Sequence, residues 1–400
     1  MSLLEAAHAN SAVKRGLTLL GIVAGVRPLI GPHSASVEIS TRCNYHCLMC
    51  PYHSPLADKV PRPGTDFMDL ALAAQVFKEV SKLGAKIVNF GHRGEPMMHP
   101  DFASIIRLAT GEGIQTRVFT NGSMLSERRI LELIDAGLTW LVVSLVGATS
   151  DSYVAIHPEA SKETFGHVLD SLALLQRLKR KTGSRTPNLE LRFIATKDSH
   201  PEVAEMVNLG IKFGADRVYL SPFRYRQDGN VGTLAPSWDE ERLTVERLQE
   251  MAPMVAMSGL QINPEELAVY HRYGPVSQTF PCYASWVEMN IEVDGNVTFC
   301  VRSRTSVGNI KERSLRDIWL GSRYNALRRL ARKPDIRPRI MECDCDRCCL
   351  FYVNWQVTRR LATFGLVPKI NGVENGISRQ ENGSTTVVGD GLAASGSHAQ

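Results

Sequence analysis

Residues 36–50 read Ser-Val-Glu-Ile-Ser-Thr-Arg-Cys-Asn-Tyr-His-Cys-Leu-Met-Cys, and this stretch decides how the rest of the chain is interpreted. Its first five residues predict a β-strand, and Cys43, Cys47 and Cys50 follow that strand directly. Loops after the carboxyl ends of parallel strands converge on one face of an α/β fold, so the three thiols are expected to gather there. Three thiolates are one short of the usual four ligands, which leaves a coordination position open for a substrate or cofactor.

Beyond this stretch, short apolar strands alternate with amphipathic helices up to about residue 222. The predicted strands are Ser36–Ser40, Lys86–Phe90, Thr116–Phe119, Trp140–Leu145, Glu190–Ala195 and Arg217–Ser221. The predicted helices between them are Met68–Leu83, Phe102–Thr110, Ser126–Ala136, Glu163–Lys179 and Pro201–Phe213. Such alternation is typical of parallel βα units, and six units predict an α/β fold built as a partial (β/α)6 TIM-like barrel that does not close.

The carboxyl-terminal part predicts a second, smaller unit. There, Asp294-Gly295 separates the predicted strands Val287–Val293 and Asn296–Val301, and Asp-Gly is a strong hairpin signal. The helices Ser314–Leu320 and Ser322–Arg332 are predicted to follow. The predicted units are an N-terminal helical extension over residues 1–35, a core over residues 36–225, a helical bridge over residues 226–279 with its clearest helix at Trp238–Met251, a small α+β module over residues 280–370, and a disordered tail over residues 371–400.

The cysteines are the unusual feature of an ordinary composition. The chain has 400 residues, a formal net charge of +5 and 9 cysteines, which stand at positions 43, 47, 50, 282, 300, 343, 345, 348 and 349. A disulfide-stabilised protein is typically a short secreted chain with cysteines spread along it, whereas these cysteines are bunched at metal-ligand spacing. We therefore expect bound metal in a reducing compartment, which favours a cytoplasmic protein.

Two other kinds of partner are not expected. The apolar stretch from Gly16 to Val26 has only about half of the ~20 residues that span a bilayer. It predicts a helix docked on the main domain, with a membrane-surface helix as the alternative. The basic run from Arg323 to Arg339 has a single aromatic residue, Tyr324, rather than repeated aromatic interleaving, and has no nucleic-acid motif, so it predicts a solvated helix face. Membrane association and nucleic-acid binding are thus both unexpected.

The Cys-x3-Cys-x2-Cys pattern after the first strand of a βα repeat resembles the radical S-adenosylmethionine (SAM) superfamily. In that family the three cysteines hold three irons of a [4Fe-4S] cluster, and the fourth iron binds the amino and carboxylate groups of SAM. The resemblance implies these roles for Cys43, Cys47 and Cys50. Met49 stands where the family usually has an aromatic residue over the adenine, and its flexible thioether can also cover a ring.

A second segment, Gly-His-Arg-Gly-Glu-Pro at residues 91–96, follows the second predicted strand. It resembles the family's Gly-Gly-Glu stretch, whose backbone meets the amino group of SAM. The resemblance implies that Gly94 and Glu95 contact the cofactor. Arg93 stands in place of the first glycine, and close approach of the backbone is the physical reason for glycine at such a place.

A third segment, Val-Ser-Leu-Val-Gly at residues 143–147, ends the fourth predicted strand. It resembles the family's Ser-Leu-Asp-Gly, which implies that Ser144 contacts SAM. Val146 replaces the usual aspartate, and His157 stands where an arginine is often found. These two departures concern polar contacts to SAM and leave the cluster ligands unaffected.

The later cysteines resemble the SPASM and twitch domains that follow many radical SAM cores and carry auxiliary iron–sulfur clusters. The predicted hairpin returns Cys300 to the neighbourhood of Cys282, and the run from Cys343 to Cys349 supplies further thiols. The resemblance implies one auxiliary [4Fe-4S] cluster held by Cys282, Cys300, Cys345 and Cys348. Cys343 is an alternative to Cys345, and Cys349 is unassigned.

A zinc site is the alternative at both groups of cysteines. At the first group, His46 or His53 would complete a zinc knuckle. At the second group, the same four thiolates would bind a structural zinc ion. The order of the βα units together with Gly94, Glu95 and Ser144 favours the iron–sulfur interpretation.

The resemblance implies reductive cleavage of SAM to a 5′-deoxyadenosyl radical, which takes hydrogen from a C–H bond of the substrate. An auxiliary cluster would accept the second electron of an oxidation. About 35 residues precede the first predicted strand, fewer than a leader-binding domain would need, and this favours a small polar natural product or carbohydrate as substrate. The expected electron donor is a reductase or a flavodoxin- or ferredoxin-type protein, and no side chain stands out as a catalytic base.

Three alternatives remain at this point. A spare thiol of Cys343 or Cys349 would return a hydrogen atom and make the protein an epimerase. A peptide or protein maturase is the second alternative. A non-catalytic iron–sulfur or zinc module is the third, and it leaves Gly94, Glu95 and Ser144 unexplained.

Overall fold

Parallel strands form the core of the fold. The computed structural model describes residues 11–57, 64–223, 230–273, 280–334, 348 and 350–366. The first six strands are β1 (Ser34–Val37), β2 (Ile87–Phe90), β3 (Gln115–Thr120), β4 (Trp140–Leu145), β5 (Asn188–Ile194) and β6 (Arg217–Ser221). Each pairs in parallel with the next along the chain. The predicted α/β fold with an unclosed partial barrel is confirmed.

Helices cover one face of this sheet. An N-terminal helix precedes the sheet, and the others connect its strands: α1 (Ser11–Ala24), α2 (Leu70–Lys82), α3 (Phe102–Gly111), α4 (Glu127–Asp135), α5 (Ser150–Ile156), α6 (Lys162–Thr182) and α7 (Val203–Lys212). Side-chain caps fix where several of them begin, as where Asp69 accepts from the backbone of Leu72. The apolar face of α2 is fully buried, because Val76, Phe77 and Val80 recur at helical spacing.

The strands alternate sharply between two faces. On β5, Leu189, Leu191 and Phe193 are fully buried in the core shared with the helices. Glu190 and Arg192, between them, therefore point to the opposite side. This opposite side is called the inner face below, because it lines the inside of the partial barrel.

The helical bridge protects the edge of the sheet at β6. It contains α8 (Trp238–Ser258) and α9 (Pro264–Tyr273). Between them, the backbone N–H of Val218 donates to the carbonyl of Gln261 at 2.9 Å, and the side chain of Asn263 bonds both backbone groups of Leu220. An exposed strand edge would otherwise pair with another chain, so these contacts close it.

The C-terminal module continues the same sheet. Its described elements are α10 (Ala284–Val287), β7 (Glu288–Ile291), β8 (Asn296–Thr298), β9 (Ser306–Asn309), α11 (Leu315–Leu320), α12 (Ser322–Ala331) and α13 (Phe351–Thr363). β7 pairs in parallel with β1, and β7, β8 and β9 pair antiparallel. The nine described strands therefore form one sheet in the order β6-β5-β4-β3-β2-β1-β7-β8-β9.

The predicted hairpin is present, and its turn requires glycine. Gly295 has φ of +87°, a backbone conformation that side chains disfavour. The third strand, β9, was not predicted. It is short, Val307 is its one buried residue, and Gly308 carries no side chain that could show the alternation.

The prediction of a solvated basic helix face was wrong for Arg328. Its side chain is buried, lies 3.9 Å over the ring of Tyr324 and 4.2 Å over that of Trp319, and donates to the carbonyl of Ser285 at 3.0 Å. Burial lowers the pKa of this guanidinium to about 10. Of the two stacking residues, Trp319 lies outside the basic run, so the composition of the run did not reveal this stacking.

The N-terminal helix α1 packs on both parts of the sheet. Ile22 contacts a small apolar cluster with Tyr283, Trp286 and Leu361 of the C-terminal module. Over the part of the chain that the structure describes, no helix combines the length and apolar character needed to cross a membrane. The proposed tail over residues 371–400 lies outside the described residues, and the domain limits remain predictions.

Candidate functional site

The first cysteine loop follows β1 and brings its three thiols together. Cys50 Sγ accepts hydrogen bonds from the backbone N–H groups of Tyr52 at 3.4 Å and His53 at 3.3 Å. Burial raises the pKa of Cys43 to about 12. Burial and the adjacent Cys50 and Cys43 also raise the pKa of Cys47. A bound metal would stabilise the thiolate form of these three neighbouring, half-buried thiols.

A single zinc ion fits this loop less well. Among the described residues, no three His, Cys, Asp or Glu side chains converge tightly enough to hold one ion. In a [4Fe-4S] cluster each cysteine binds a different iron, so its thiols need not converge on one point. His46, a suggested fourth zinc ligand, pairs instead with Glu159, at 2.7 Å between Nδ1 and Oε1. His46 is therefore engaged away from the three thiols.

Gly94 lies directly against the backbone that enters the cysteine loop. A Cβ atom at this position would come within 3.0 Å of the carbonyl oxygens of Ser40 and Arg42, closer than real Cβ atoms approach. The next N–H, from Glu95, donates to Arg42 at 2.8 Å. The loop after β2 and the cysteine loop are thus joined backbone to backbone, and this contact is the physical reason for the glycine.

The Glu95 carboxylate is engaged within the protein. One oxygen accepts from the backbone of Met97 at 3.0 Å, and the other accepts from the backbone of Asn121 at 2.8 Å. Burial raises the pKa of this carboxyl group. Its side chain therefore joins the loops after β2 and β3, and any contact with SAM is expected from the backbone.

Ser144 and Met49 occupy different parts of the site. Ser144 lies near the end of β4 on the inner face, in register with Arg192 of β5. Met49 is half-buried in the cysteine loop. His157, which stands where the family often has arginine, is buried under that loop, where its Nδ1 lies 2.7 Å from the carbonyl of Tyr153. Burial lowers the pKa of His157, so it carries little charge for a carboxylate.

The second group of cysteines is described in part. Cys282 is buried, and Cys300 is half-buried after β8. Both influence the electrostatics of Tyr324, which places them in one neighbourhood. Cys348 packs on an aromatic cluster that contains Phe280, close in the chain to Cys282. The other three positions, Cys343, Cys345 and Cys349, lie outside the described residues.

A histidine joins the two cysteine loops, a feature that sequence reasoning missed. His92 Nε2 lies 2.6 Å from the carbonyl oxygen of Val301 and 3.3 Å from the hydroxyl of Tyr52. Tyr52 follows Cys50 closely in the chain, and Val301 follows Cys300. The set Tyr52, His92 and Val301 is called the histidine bridge below.

An arginine makes a second connection of this kind. Arg93 Nε donates to Glu38 at 2.6 Å, and its Nη2 donates to Glu292 at 2.9 Å. Burial alone would raise the pKa of Glu38, but the hydrogen bonds from Arg93 and the nearby His92, whose Nδ1 lies 3.6 Å from the carboxylate, lower it to about 2. These three charged residues, Glu38, Arg93 and Glu292, are called the arginine clamp. Glu38, an acidic residue within the first predicted strand, was the sequence feature that could have indicated the clamp.

Comparison with known proteins agrees with this geometry. The model of the radical SAM superfamily matches residues 37–189, and the model of the SPASM iron–sulfur cluster-binding domain matches residues 282–349. An unclosed βα barrel with a three-cysteine loop after its first strand is the architecture of a radical SAM enzyme. The chain thus contains a radical SAM domain followed by a C-terminal SPASM domain. SAM and iron–sulfur clusters are therefore its cofactors, as predicted.

Curated relatives match along most of the chain. A tungsten-containing aldehyde ferredoxin oxidoreductase cofactor-modifying protein of Pyrococcus furiosus is 24% identical over 345 residues, 79% of this chain and 88% of the relative. A PqqA peptide cyclase of Methylocella silvestris is 26% identical over 309 residues, 75% of this chain and 77% of the relative. Both alignments are long enough to include the barrel and much of the C-terminal region.

Solved structures share the fold at low identity. Streptococcus suis SuiB bound to S-adenosylmethionine has a TM-score of 0.61 at 15% identity, over 82% of this chain and 76% of that one. Native anSMEcpe with bound AdoMet has a TM-score of 0.60 at 13% identity, over 84% of this chain and 98% of that one. At such identities the likeness concerns the fold alone.

Proposed function

We propose that the protein is a radical SAM enzyme that modifies a peptide. The observation that carries this proposal is the match to PqqA peptide cyclases over most of both chains. The natural-product or carbohydrate substrate favoured by the sequence receives less support, because these relatives are named for a peptide. The maturase alternative is therefore preferred.

The first cysteine loop provides the reaction centre. Cys43, Cys47 and Cys50 would hold the [4Fe-4S] cluster, which supplies with SAM the radical that removes hydrogen from an unactivated C–H bond. Gly94 keeps the loop after β2 close to these thiols and leaves its backbone groups available to the cofactor. Ser144 offers a hydroxyl on the inner face for a further contact.

The SPASM domain would form the other wall of the substrate cavity. The histidine bridge and the arginine clamp hold it against the mouth of the barrel through hydrogen bonds to Val301 and Glu292. A fixed wall excludes water from a site in which a reactive radical must meet only its substrate. Peptide would lie between this wall and the inner face.

Cys282, Cys300, Cys345 and Cys348 would hold the auxiliary cluster, with Cys343 as the alternative to Cys345. Such a cluster supplies an acceptor for the second electron of an oxidation. A hydrogen atom returned by Cys343 or Cys349 would instead give epimerisation. An electron donor of the reductase, flavodoxin or ferredoxin type and a cytoplasmic location belong to the same proposal.

The cofactor assignment is tested with anaerobically reconstituted protein. It should bind about eight irons and form 5′-deoxyadenosine from SAM and reductant. Replacing Cys43, Cys47 and Cys50 together by alanine should leave about four irons and no 5′-deoxyadenosine. Equal SAM cleavage by both proteins would contradict the role of this loop, and zinc retained at Cys282 and Cys300 would contradict the auxiliary cluster.

The substrate class is tested with extracts of the source organism. Unsubstituted enzyme is incubated with SAM and a low-molecular-weight extract, before and after the extract is treated with protease, and the protease is then removed. Stimulated formation of 5′-deoxyadenosine that disappears after protease treatment supports a peptide. Stimulation that survives the treatment would overturn the peptide proposal and restore the small-molecule one.

A further inference from the structure

A compact group of charges lies on the inner face, away from the cysteine loops. It consists of Arg117 on β3, Glu190 and Arg192 on β5, and Arg217 on β6, and is called the arginine cluster. Glu190 accepts from Arg117 at 2.8 Å and from Arg192 at 2.7 and 3.1 Å. Arg217 lies at 3.4 Å from the same carboxylate. Three guanidinium groups thus surround one carboxylate.

The cluster crosses the inside of the barrel. Arg117 and Glu190 belong to β3 and β5, which are separated by β4, so their hydrogen bond crosses β4. Residues that alternate with them, such as Leu141 and Leu191, pack on the helices. The arginine cluster therefore faces the inside of the barrel, below the carboxyl ends of the strands where the cysteine loop lies.

Aromatic rings hold the guanidinium groups in fixed positions. Arg192 lies 4.4 Å over the ring of Tyr219 and 4.9 Å over that of Phe119. Arg217 lies 5.4 Å from the ring of Trp140. A stacked guanidinium loses little further freedom when it binds a planar anion, and its paired N–H donors match a carboxylate.

The charges do not balance. The Glu190 side chain is fully buried. The side chains of Arg117, Arg192 and Arg217 have exposed fractions of 22%, 20% and 32%. Among the described residues, Arg117 Nε has no hydrogen-bond partner. Burial raises the pKa of the nearby Glu288 carboxyl, which limits how much negative charge it adds. Counting the described residues alone, positive charge therefore remains in excess where solvent or a ligand can reach it.

An anion would complete this arrangement. Partly buried charges without full compensation are costly, and burial already lowers the pKa of Arg117. The Cα of Arg192 is in register with Ser144, but its guanidinium reaches back to Glu190, so an anion held there would lie deeper in the barrel than the expected cofactor contact. A molecule anchored there would extend from the arginine cluster toward the carboxyl ends of the strands, where the cysteine loop lies.

We propose that the arginine cluster binds a carboxylate of the substrate, namely an aspartate or glutamate side chain of the peptide. This inference rests on the proposed function, because that function makes the substrate a peptide. The charge argument for a carboxylate site is independent of it. The methionine carboxylate of SAM has the same chemistry and is the competing source. The two are separated by titrating SAM by itself and the substrate probes onto the SAM-bound protein.

The test uses reconstituted protein and three probes, with binding followed by calorimetry in the presence of SAM. The probes are glutarate, the capped peptide acetyl-Ala-Glu-Ala-amide and its glutamine counterpart. Unsubstituted protein should bind the glutamate peptide at least tenfold more tightly than the glutamine peptide. Arg192→Gln and Arg217→Gln should each weaken glutarate binding about tenfold, the loss expected for a charged hydrogen bond.

Two further variants distinguish a loss of binding from damage to the fold. Glu190→Gln removes the competing carboxylate and should tighten glutarate binding, whereas damage to the fold would weaken it. Arg128→Gln is the matched control, because Arg128 is an exposed arginine that pairs with Glu132 on the surface of α4. This control should bind all probes like the unsubstituted protein.

Three results would count against the arginine cluster or against the peptide substrate. Unchanged glutarate binding in Arg192→Gln and Arg217→Gln would overturn the proposal. Weaker SAM binding with unchanged glutarate binding would also overturn it and would assign the cluster to the cofactor. Arginine-dependent binding of glutarate without any binding of the capped glutamate peptide would keep the carboxylate site and count against the peptide substrate.

Discussion

Gly94 shows how a single residue can support both the fold and the site. The carbonyl oxygens of Ser40 and Arg42 fill the space that its side chain would need, and both precede Cys43 in the chain. A methyl group here must push two backbone segments apart. The same displacement would move the cysteine loop relative to the backbone that is expected to meet SAM.

Gly94→Ala is therefore expected to destabilise the protein by about 1–3 kcal/mol, the cost of overpacking against rigid neighbours. It should also weaken SAM binding. Urea unfolding and SAM titration of the reconstituted protein measure the two effects.

Gly166→Ala provides the control for this prediction. Gly166 lies within α6, and nothing stands within 4 Å of where its Cβ would be. Alanine there should stabilise the protein by about 0.5–1 kcal/mol, through helix propensity. Equal changes in stability in both variants would mean that the backbone around Gly94 accommodates a methyl group.

At the scale of elements, local apolar runs made most strands predictable. β4 and β6 have the predicted limits, since Trp140–Leu145 and Arg217–Ser221 are bounded by turn residues. The parallel pairing of β7 with β1 was not predictable, because residues 34–37 and 288–291 are far apart in the chain. Nor did any local pattern assign Arg93 to the clamp. Its partners Glu38 and Glu292 meet only once the sheet has formed.

Helix α1 provides a prediction about pH. Lys14 is buried, and its Nζ donates to the carbonyls of Pro32 at 2.7 Å and Gly84 at 2.5 Å. Burial and the positive charge of Lys86 lower the pKa of Lys14 to about 8. A neutral amine still has two N–H groups for the two carbonyls, so the native state can release the proton above about pH 8 without losing either hydrogen bond.

The direction of the pH dependence follows from this lowered pKa. Between about pH 8 and 10.5 the unfolded chain keeps the proton that the native state has released, so stability rises with pH. From pH 7.5 to 9.5 the unsubstituted protein should gain about 1–2 kcal/mol relative to Lys14→Met. Urea unfolding at both pH values measures the difference. A parallel pH dependence in the two proteins would mean that Lys14 stays charged in the fold.

The whole molecule is organised around one continuous sheet. β1 pairs with β2 on one side and with β7 of the SPASM domain on the other. The cysteine loop thus begins at the strand that joins the two domains. The histidine bridge and the arginine clamp add polar contacts at the same junction. The distance between the two groups of cysteines therefore depends on the same interactions as the stability of the sheet.

Arg93→Gln tests this coupling at the scale of the molecule. The change removes the cation between Glu38 and Glu292 and leaves Glu38, which is nearly fully buried, without its strongest partner. Losing one partner of a buried ion pair should destabilise the protein by about 3 kcal/mol. Adding Glu38→Gln should recover part of this loss, because no uncompensated charge remains. Arg242→Gln, on the surface of α8, should leave stability unchanged.

Hydrogen exchange then shows whether the two domains share this loss. Because β1 and β7 belong to one sheet, their amides should be protected alike in the unsubstituted protein and should lose protection together in Arg93→Gln. Loss confined to β7 would mean that the SPASM domain opens on its own and that the clamp merely attaches it. A joint loss of protection would mean that the barrel and the SPASM domain open as one unit. The two groups of cysteines would then stay at a fixed separation until the sheet itself opens.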